Sequence, residues 1–126
     1  MRVHVEWSES EQVATIFHED VAIRTLEDIA EWKRQLFPVL EQLAVRLGRK
    51  PRVLVCIDGF SLAPEVASEY GEGAKHVGQA LSAGLARYGL PARVRPLIAL
   101  EAAKQGYKPN LFASREEARQ HVLALV

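Results

Sequence analysis

The sequence predicts a single α/β domain with a mixed sheet, and three observations lead to this prediction. An alternating, hairpin-like pattern at the N-terminus is followed by a long amphipathic helical pattern. Residues 53–57 (VLVCI) form an unbroken apolar run, which is typical of a strand covered by helices on both faces. Helical and extended patterns then alternate, so the strands from this run onward are expected to be parallel.

Composition limits the classes of protein that fit. The chain has 126 residues, 48% of them hydrophobic, which suits one domain spanning residues 1–126. Lys+Arg and Asp+Glu both number 16, so the chain lacks the basic excess expected of a nucleic-acid-binding protein. We expect a cytoplasmic protein without membrane contact, because the sequence shows neither a bilayer-length apolar run nor a signal peptide. The single cysteine, Cys56, is expected to be a small buried hydrophobe.

The first half of the chain predicts a β-hairpin and a helix. Residues 1–7 and 12–19 form two strand-like segments on either side of a polar turn, which indicates a β-hairpin. Thr25 and Asp28 suit the start of a helix, and an apolar stripe then continues to Gly48, which together with Pro51 should end it. Pro38 lies inside this stripe and is expected to kink the helix or divide it.

After the central strand, the spacing predicts a helix beginning at Pro64. Its apolar stripe includes Val77, Leu81 and Leu85 and continues to Tyr88, so we expect one helix ended by Gly89. Residues 92–96 (ARVRP) are expected to form a short strand.

The C-terminal third predicts a short helix, a strand and a final helix. Residues 97–105 form the short helix, which Gly106 ends, and residues 109–113 (PNLFA) form the last strand. Ser114 and Glu117 match a capping box that begins a helix running to Val126. The predicted order is thus an N-terminal β-hairpin followed by α-β-α-β-α-β-α.

This order resembles the STAS-like fold of anti-sigma-factor antagonists, as do the Asp58-Gly59 end of the central strand and the closing residues 111–118 (LFASREEA). Residues 57–64 (IDGFSLAP) followed by Tyr70 also resemble STAS-like tails on some bacterial CoA-transferase chains. The resemblance implies a bacterial, non-enzymatic regulatory module that binds a protein partner and is switched by phosphorylation. Asp58 and Gly59 stand for the start of the family pattern D-x-S-G-x-x-x-x-D-S-x-G, whereas its second acid and adjacent serine do not occur in register.

The strand-to-helix corner at residues 58–64 is the candidate binding site. Asp58, Gly59, Phe60 and Ser61 place an acid, a flexible residue, an aromatic ring and a hydroxyl at the carboxyl end of the central strand. We expect Phe60 to be an exposed anchor in a docking surface. Ser61 and Ser68 are candidate phosphorylation sites, because a helix N-terminus favours anions.

Other functions have less support in the sequence, and we expect no cofactor. There is no nucleophile elbow G-x-S-x-G, and the four histidines lack the spacing of metal ligands, so neither catalysis nor a metal site is expected. One alternative is a small-molecule-binding domain or a minor enzyme that uses the corner at residues 58–64. Another is a homodimer in which the edge strand of the hairpin pairs with a second copy.

Overall fold

The computed structural model describes residues 1–125 and confirms the predicted α/β fold with a mixed sheet. Its strands are β1 (Arg2–Ser8), β2 (Val13–Glu19), β3 (Val21–Ile23), β4 (Arg52–Cys56), β5 (Phe60–Leu62) and β6 (Leu85–Tyr88). The main sheet has the order β1-β2-β4-β6, in which β1 is antiparallel to β2 and the other three strands are parallel. β3 and β5 pair in parallel as a separate small sheet.

Helices cover both faces of the main sheet. They are α1 (Leu26–Leu47), α2 (Ala67–Gln79), α3 (Arg95–Gln105) and α4 (Arg115–Leu123), and a 3₁₀ turn at Pro64–Val66 precedes α2. α1 and α2 pack on one face, α3 packs against α2, and α4 packs on the other face. Within residues 1–125, none of these helices is both long enough and apolar enough to cross a membrane.

The predicted central strand is confirmed. β4 lies between β2 and β6, and its side chains are buried on both faces. Val53 and Val55 belong to the larger core beneath α1 and α2, whereas Leu54 belongs to a smaller core beneath α4. Val55 and Ile57 are both buried, as the absence of polar alternation predicts. Cys56 is only half-buried, so the expectation of a buried cysteine is wrong.

α1 begins and ends where the sequence predicts. The Thr25 hydroxyl accepts a hydrogen bond from the Asp28 amide, the Asp28 carboxylate accepts one from the Thr25 amide, and Gly48 ends the helix in the left-handed conformation. The helix runs unbroken through Pro38, so the proline does not divide it.

The predicted helix from Pro64 to Tyr88 is wrong in its second half. α2 ends at Gln79, and residues 85–88 form the strand β6, which pairs with β4. Gly84 has φ +142° and its carbonyl accepts a hydrogen bond from the Val53 amide, so the chain turns here into the sheet. All four residues of β6 are buried, which would not hold for a helix on the surface of the sheet.

Two further predicted strands are also corrected. Residues 92–96 form a turn and the beginning of α3, because Pro96 lies in the first turn of this helix, where no amide donor is needed. Residues 109–113 contribute only an isolated parallel bridge between Leu111 and Arg87. α4 begins after Ser114 as predicted but ends at Leu123, and Val126 lies outside the described residues.

α1 offers a matched test of the core. Leu40 is 0% exposed and Val45 is 84% exposed on the same helix. We expect Leu40→Ala to lower the free energy of unfolding by about 2–5 kcal/mol, because it leaves a cavity in the core. Val45→Ala should change it by less than about 0.5 kcal/mol. Chemical denaturation measures both values, and similar losses in the two variants would contradict the described packing.

Candidate functional site

The carboxyl ends of three parallel strands meet at one edge of the main sheet. The chain leaves β2 at Asp20, β4 at Asp58 and β6 at Gly89, and because these strands are parallel the three exits lie side by side. In open α/β sheets, ligands bind at this edge. The corner at residues 58–64, which the sequence singles out, is the middle one of the three exits.

The backbone at this corner is held by a small sheet that the sequence did not predict. β5 begins directly after Gly59 and pairs with β3, and the Val21 amide donates a hydrogen bond of 2.9 Å to the Gly59 carbonyl. Asp20 and Gly59 both have positive φ, +50° and +78°. A Cβ on Gly59 would lie 2.9 Å from the His18 carbonyl oxygen, so only glycine fits here without a shift of the backbone.

The three exits surround an open groove of about 420 Å³, which we call the corner groove. Its lining consists of Asp20, Val21 and Ala22 after β2, Gly59, Phe60 and Ser61 after β4, and Pro91 and Arg93 after β6. Asp20 and Arg93 are exposed, so the groove carries charges of both signs. Asp58 is exposed directly before Gly59. The structure therefore brings Gly59, Phe60 and Ser61 together in one groove, with Asp58 beside it.

Phe60 is not the exposed anchor that the sequence predicted. Its side chain is only 3% exposed, and its ring centroid lies 5.0 Å from that of Tyr70 and 5.4 Å from that of His18. Phe60 belongs to the main core, and its role in the corner is to fix β5 against the domain. That prediction is therefore wrong, because His18 of β2 and Tyr70 of α2 pack against the ring.

The two candidate phosphorylation sites lie in different places. Ser61 is half-buried in β5 and lines the corner groove. Ser68 is exposed in the first turn of α2, and its carbonyl accepts a hydrogen bond of 2.9 Å from Nε2 of Gln105. Ser68 lines a separate groove between α2 and α3, so the structure does not bring the two serines together.

His18 lies buried beneath the corner and joins three elements. Trp32 Nε1 in α1 donates to His18 Nε2 at 3.1 Å, and His18 Nδ1 lies 2.8 Å from the Cys56 carbonyl oxygen. Because an indole can only donate, Nε2 accepts and Nδ1 carries the proton, which fixes the neutral tautomer. Burial lowers the pKa of His18 to about 4.

Sequence reasoning missed Asp20 and Arg93, because only the order of the strands brings them to the corner. One sequence signal could have indicated the third exit. Gly84 and Gly89 flank the four residues of β6, and such a pair is typical of the turns at the two ends of a short strand. Within the described residues, no group of three or more His, Cys, Asp or Glu side chains is placed to hold a metal ion.

Comparisons with protein-family models, curated proteins and solved structures gave no significant match to this chain.

A comparison of two glycines with nearly the same φ distinguishes the energetic cost of backbone strain from that of steric crowding. Gly106 has φ +76° and no atom lies within 4 Å of the position that a Cβ would take, whereas Gly59 has φ +78° and faces the His18 carbonyl. We expect Gly106→Ala to cost about 1–2 kcal/mol of stability from the left-handed backbone alone. Gly59→Ala should cost about 1 kcal/mol or more beyond that, because β2 and β5 must separate. Equal losses in urea denaturation would contradict the close approach at the corner.

His18 should make stability depend on pH. Its pKa falls from 6.5 to about 4 on folding, so its stabilising contribution is complete above pH 6.5 and is lost as pH falls towards 4. A shift of this size corresponds to about 3 kcal/mol. His18→Gln should remove this part of the pH profile, whereas replacing the exposed His76 by Gln should retain it. Parallel profiles for wild type and His18→Gln in denaturation between pH 7 and 4 would overturn the assignment.

Proposed function

We propose that this chain is a non-enzymatic binding module that docks a protein partner at the corner groove. The observation that supports this most directly is the convergence of three strand exits on one open groove. Loops at strand ends commonly carry binding residues, because the rigid sheet beneath them fixes their positions. The proposal keeps Asp58, Gly59 and Ser61 as binding residues and adds Asp20 and Arg93.

The form of the groove favours a polypeptide over a small molecule. Small-molecule sites are concave and bury most of their ligand, whereas the corner groove is open and its charged residues lie exposed at the surface. Asp20 and Arg93 carry opposite charges, which would orient a partner segment and favour its encounter. The bond between Val21 and Gly59 and the buried ring of Phe60 hold the groove in one shape, which lowers the entropy lost on binding.

The resemblance to STAS-like anti-sigma-factor antagonists adds a regulatory role to the proposal. In this reading Ser61 is the better candidate for a switch, because it lines the groove and Ser68 lies outside it. A phosphate on Ser61 would add a charge of about −1.5 to −2 to a groove that already contains Asp20. That charge would change which partner surface fits.

The docking proposal is tested with a photo-crosslinking residue placed at position 61 or 93, and at the exposed position 45 as control. The partner is then identified by mass spectrometry, and its affinity is measured for Ser61→Glu and Arg93→Glu. We expect a shared partner from both groove positions and an affinity about tenfold weaker for Arg93→Glu, because a charge in the interface is reversed. The matched controls Ser10→Glu and Arg46→Glu change exposed residues outside the groove and should bind like wild type.

Three outcomes would contradict this account. Equal affinity of the groove variants and their controls would place the partner elsewhere on the surface. A crosslinked dimer of the chain would assign the groove to a second copy. A turnover that Asp58→Asn abolishes would make the corner an active site and the chain an enzyme.

A further inference from the structure

A buried arginine in β6 has no part in the corner groove. Arg87 is 4% exposed and pairs in parallel register with Val55 of the central strand. Its side chain lies among Val77 and Ala74 of α2, on the face of the sheet that carries the main core. A guanidinium stays charged in a protein, so this strand places a positive charge where an apolar side chain would otherwise pack.

Few groups of the protein pair with the Arg87 guanidinium. Within residues 1–125, Arg87 takes part in none of the ion pairs. Its Nη1 donates to the Pro109 carbonyl at 2.6 Å, and its guanidinium carbon lies 6.0 Å from the centre of the Tyr107 ring. A guanidinium has five N–H donors, so most of its capacity is left for another acceptor. Burial accordingly lowers the pKa of Arg87.

Arg87 lines a groove of about 300 Å³ between α2, the beginning of β6 and residues 106–110, which we call the basic groove. Lys75 and Lys108 also line it, and Lys75 Nζ donates to the Gln105 carbonyl at 3.0 Å. The described residues that line the groove include no Asp or Glu, so the lining carries three positive charges and no negative one. In a chain with equal numbers of acids and bases, this is a local excess of positive charge.

We propose that the basic groove binds a small molecule through a phosphoryl group, with Arg87 as the central ligand and Lys75 and Lys108 at its rim. The guanidinium of arginine and the ammonium of lysine donate charge-assisted hydrogen bonds, which phosphate oxygens accept. The volume lies at the lower end of small-molecule sites, which suits a phosphate with a small organic part. The basic groove shares no lining residue with the corner groove, so this proposal does not depend on partner docking.

The site also links two parts of the fold. The Arg87 amide donates to the Asn110 carbonyl at 2.8 Å, and the Arg87 carbonyl accepts from the Phe112 amide at 2.9 Å, so β6 holds residues 110–112 at its free edge. A phosphate between Lys75 and Lys108 would join α2 to this segment through Arg87. Binding should therefore raise the melting temperature in proportion to the logarithm of phosphate concentration once the site is saturated.

The experiment measures binding of inorganic phosphate, pyrophosphate and glycerol 3-phosphate by calorimetry, with chloride at matched ionic strength as the reference. We expect saturable binding of at least one phosphate probe. Lys75→Gln and Lys108→Gln should each weaken it by about tenfold, because each removes a charge-assisted hydrogen bond. Arg46→Gln, an exposed cation on α1 outside the groove, is the matched control and should bind like wild type.

Arg87→Met separates a binding role from a structural one. Methionine keeps much of the length of the side chain and removes the buried charge, so the variant should melt at the same temperature as wild type or higher while losing phosphate binding. If Arg87→Met does not fold, the two lysine variants decide the question. Absence of phosphate binding up to about 10 mM, equal binding in the lysine variants and the control, or binding retained by folded Arg87→Met would each overturn the proposal.

Discussion

The three central residues of strand β4 are buried on both faces of the sheet, and the arrangement of the other elements follows from this. Its side chains pack under α1 and α2 on one side and under α4 on the other, so both faces of the sheet must carry helices. Helical crossovers make its neighbours β2 and β6 parallel to it. The three strands then end at the same edge, and the corner groove exists because the core requires this order.

Two buried polar side chains in this core have their hydrogen-bonding needs met to very different degrees. Both ring nitrogens of His18 have partners, one in α1 and one at the end of β4, so its role beneath the corner is structural. Arg87 has one carbonyl acceptor and an aromatic neighbour for a permanent charge. The nitrogens of Arg87 are not among the buried unpartnered atoms of the described residues, so its remaining donors face the basic groove, where a ligand could supply acceptors. This difference is why we assign binding to Arg87 and not to His18.

The parts of the fold that could be predicted depend on local patterns. The hairpin, α1 with its Thr25 cap and the apolar central strand all have such patterns. β6 does not, because Leu81 and Leu85 continue the helical spacing of Val77 and a strand buried on both faces shows no alternation. For the site, positions 58–61 were predicted from their place after the central strand, whereas the burial of Phe60 depends on its packing against side chains of other elements, His18 and Tyr70.

The central claim is that β6 is a strand beside β4, since this pairing creates the third exit of the corner groove and places Arg87 in the core. Backbone NMR tests it most directly, through the Cα secondary shifts of residues 85–88 and the cross-strand contacts between Val55 and Arg87. The account predicts strand-like shifts together with contacts between these two residues, which are paired in the parallel register. Helical shifts that continue from α2 through Tyr88, without contacts to β4, would contradict it.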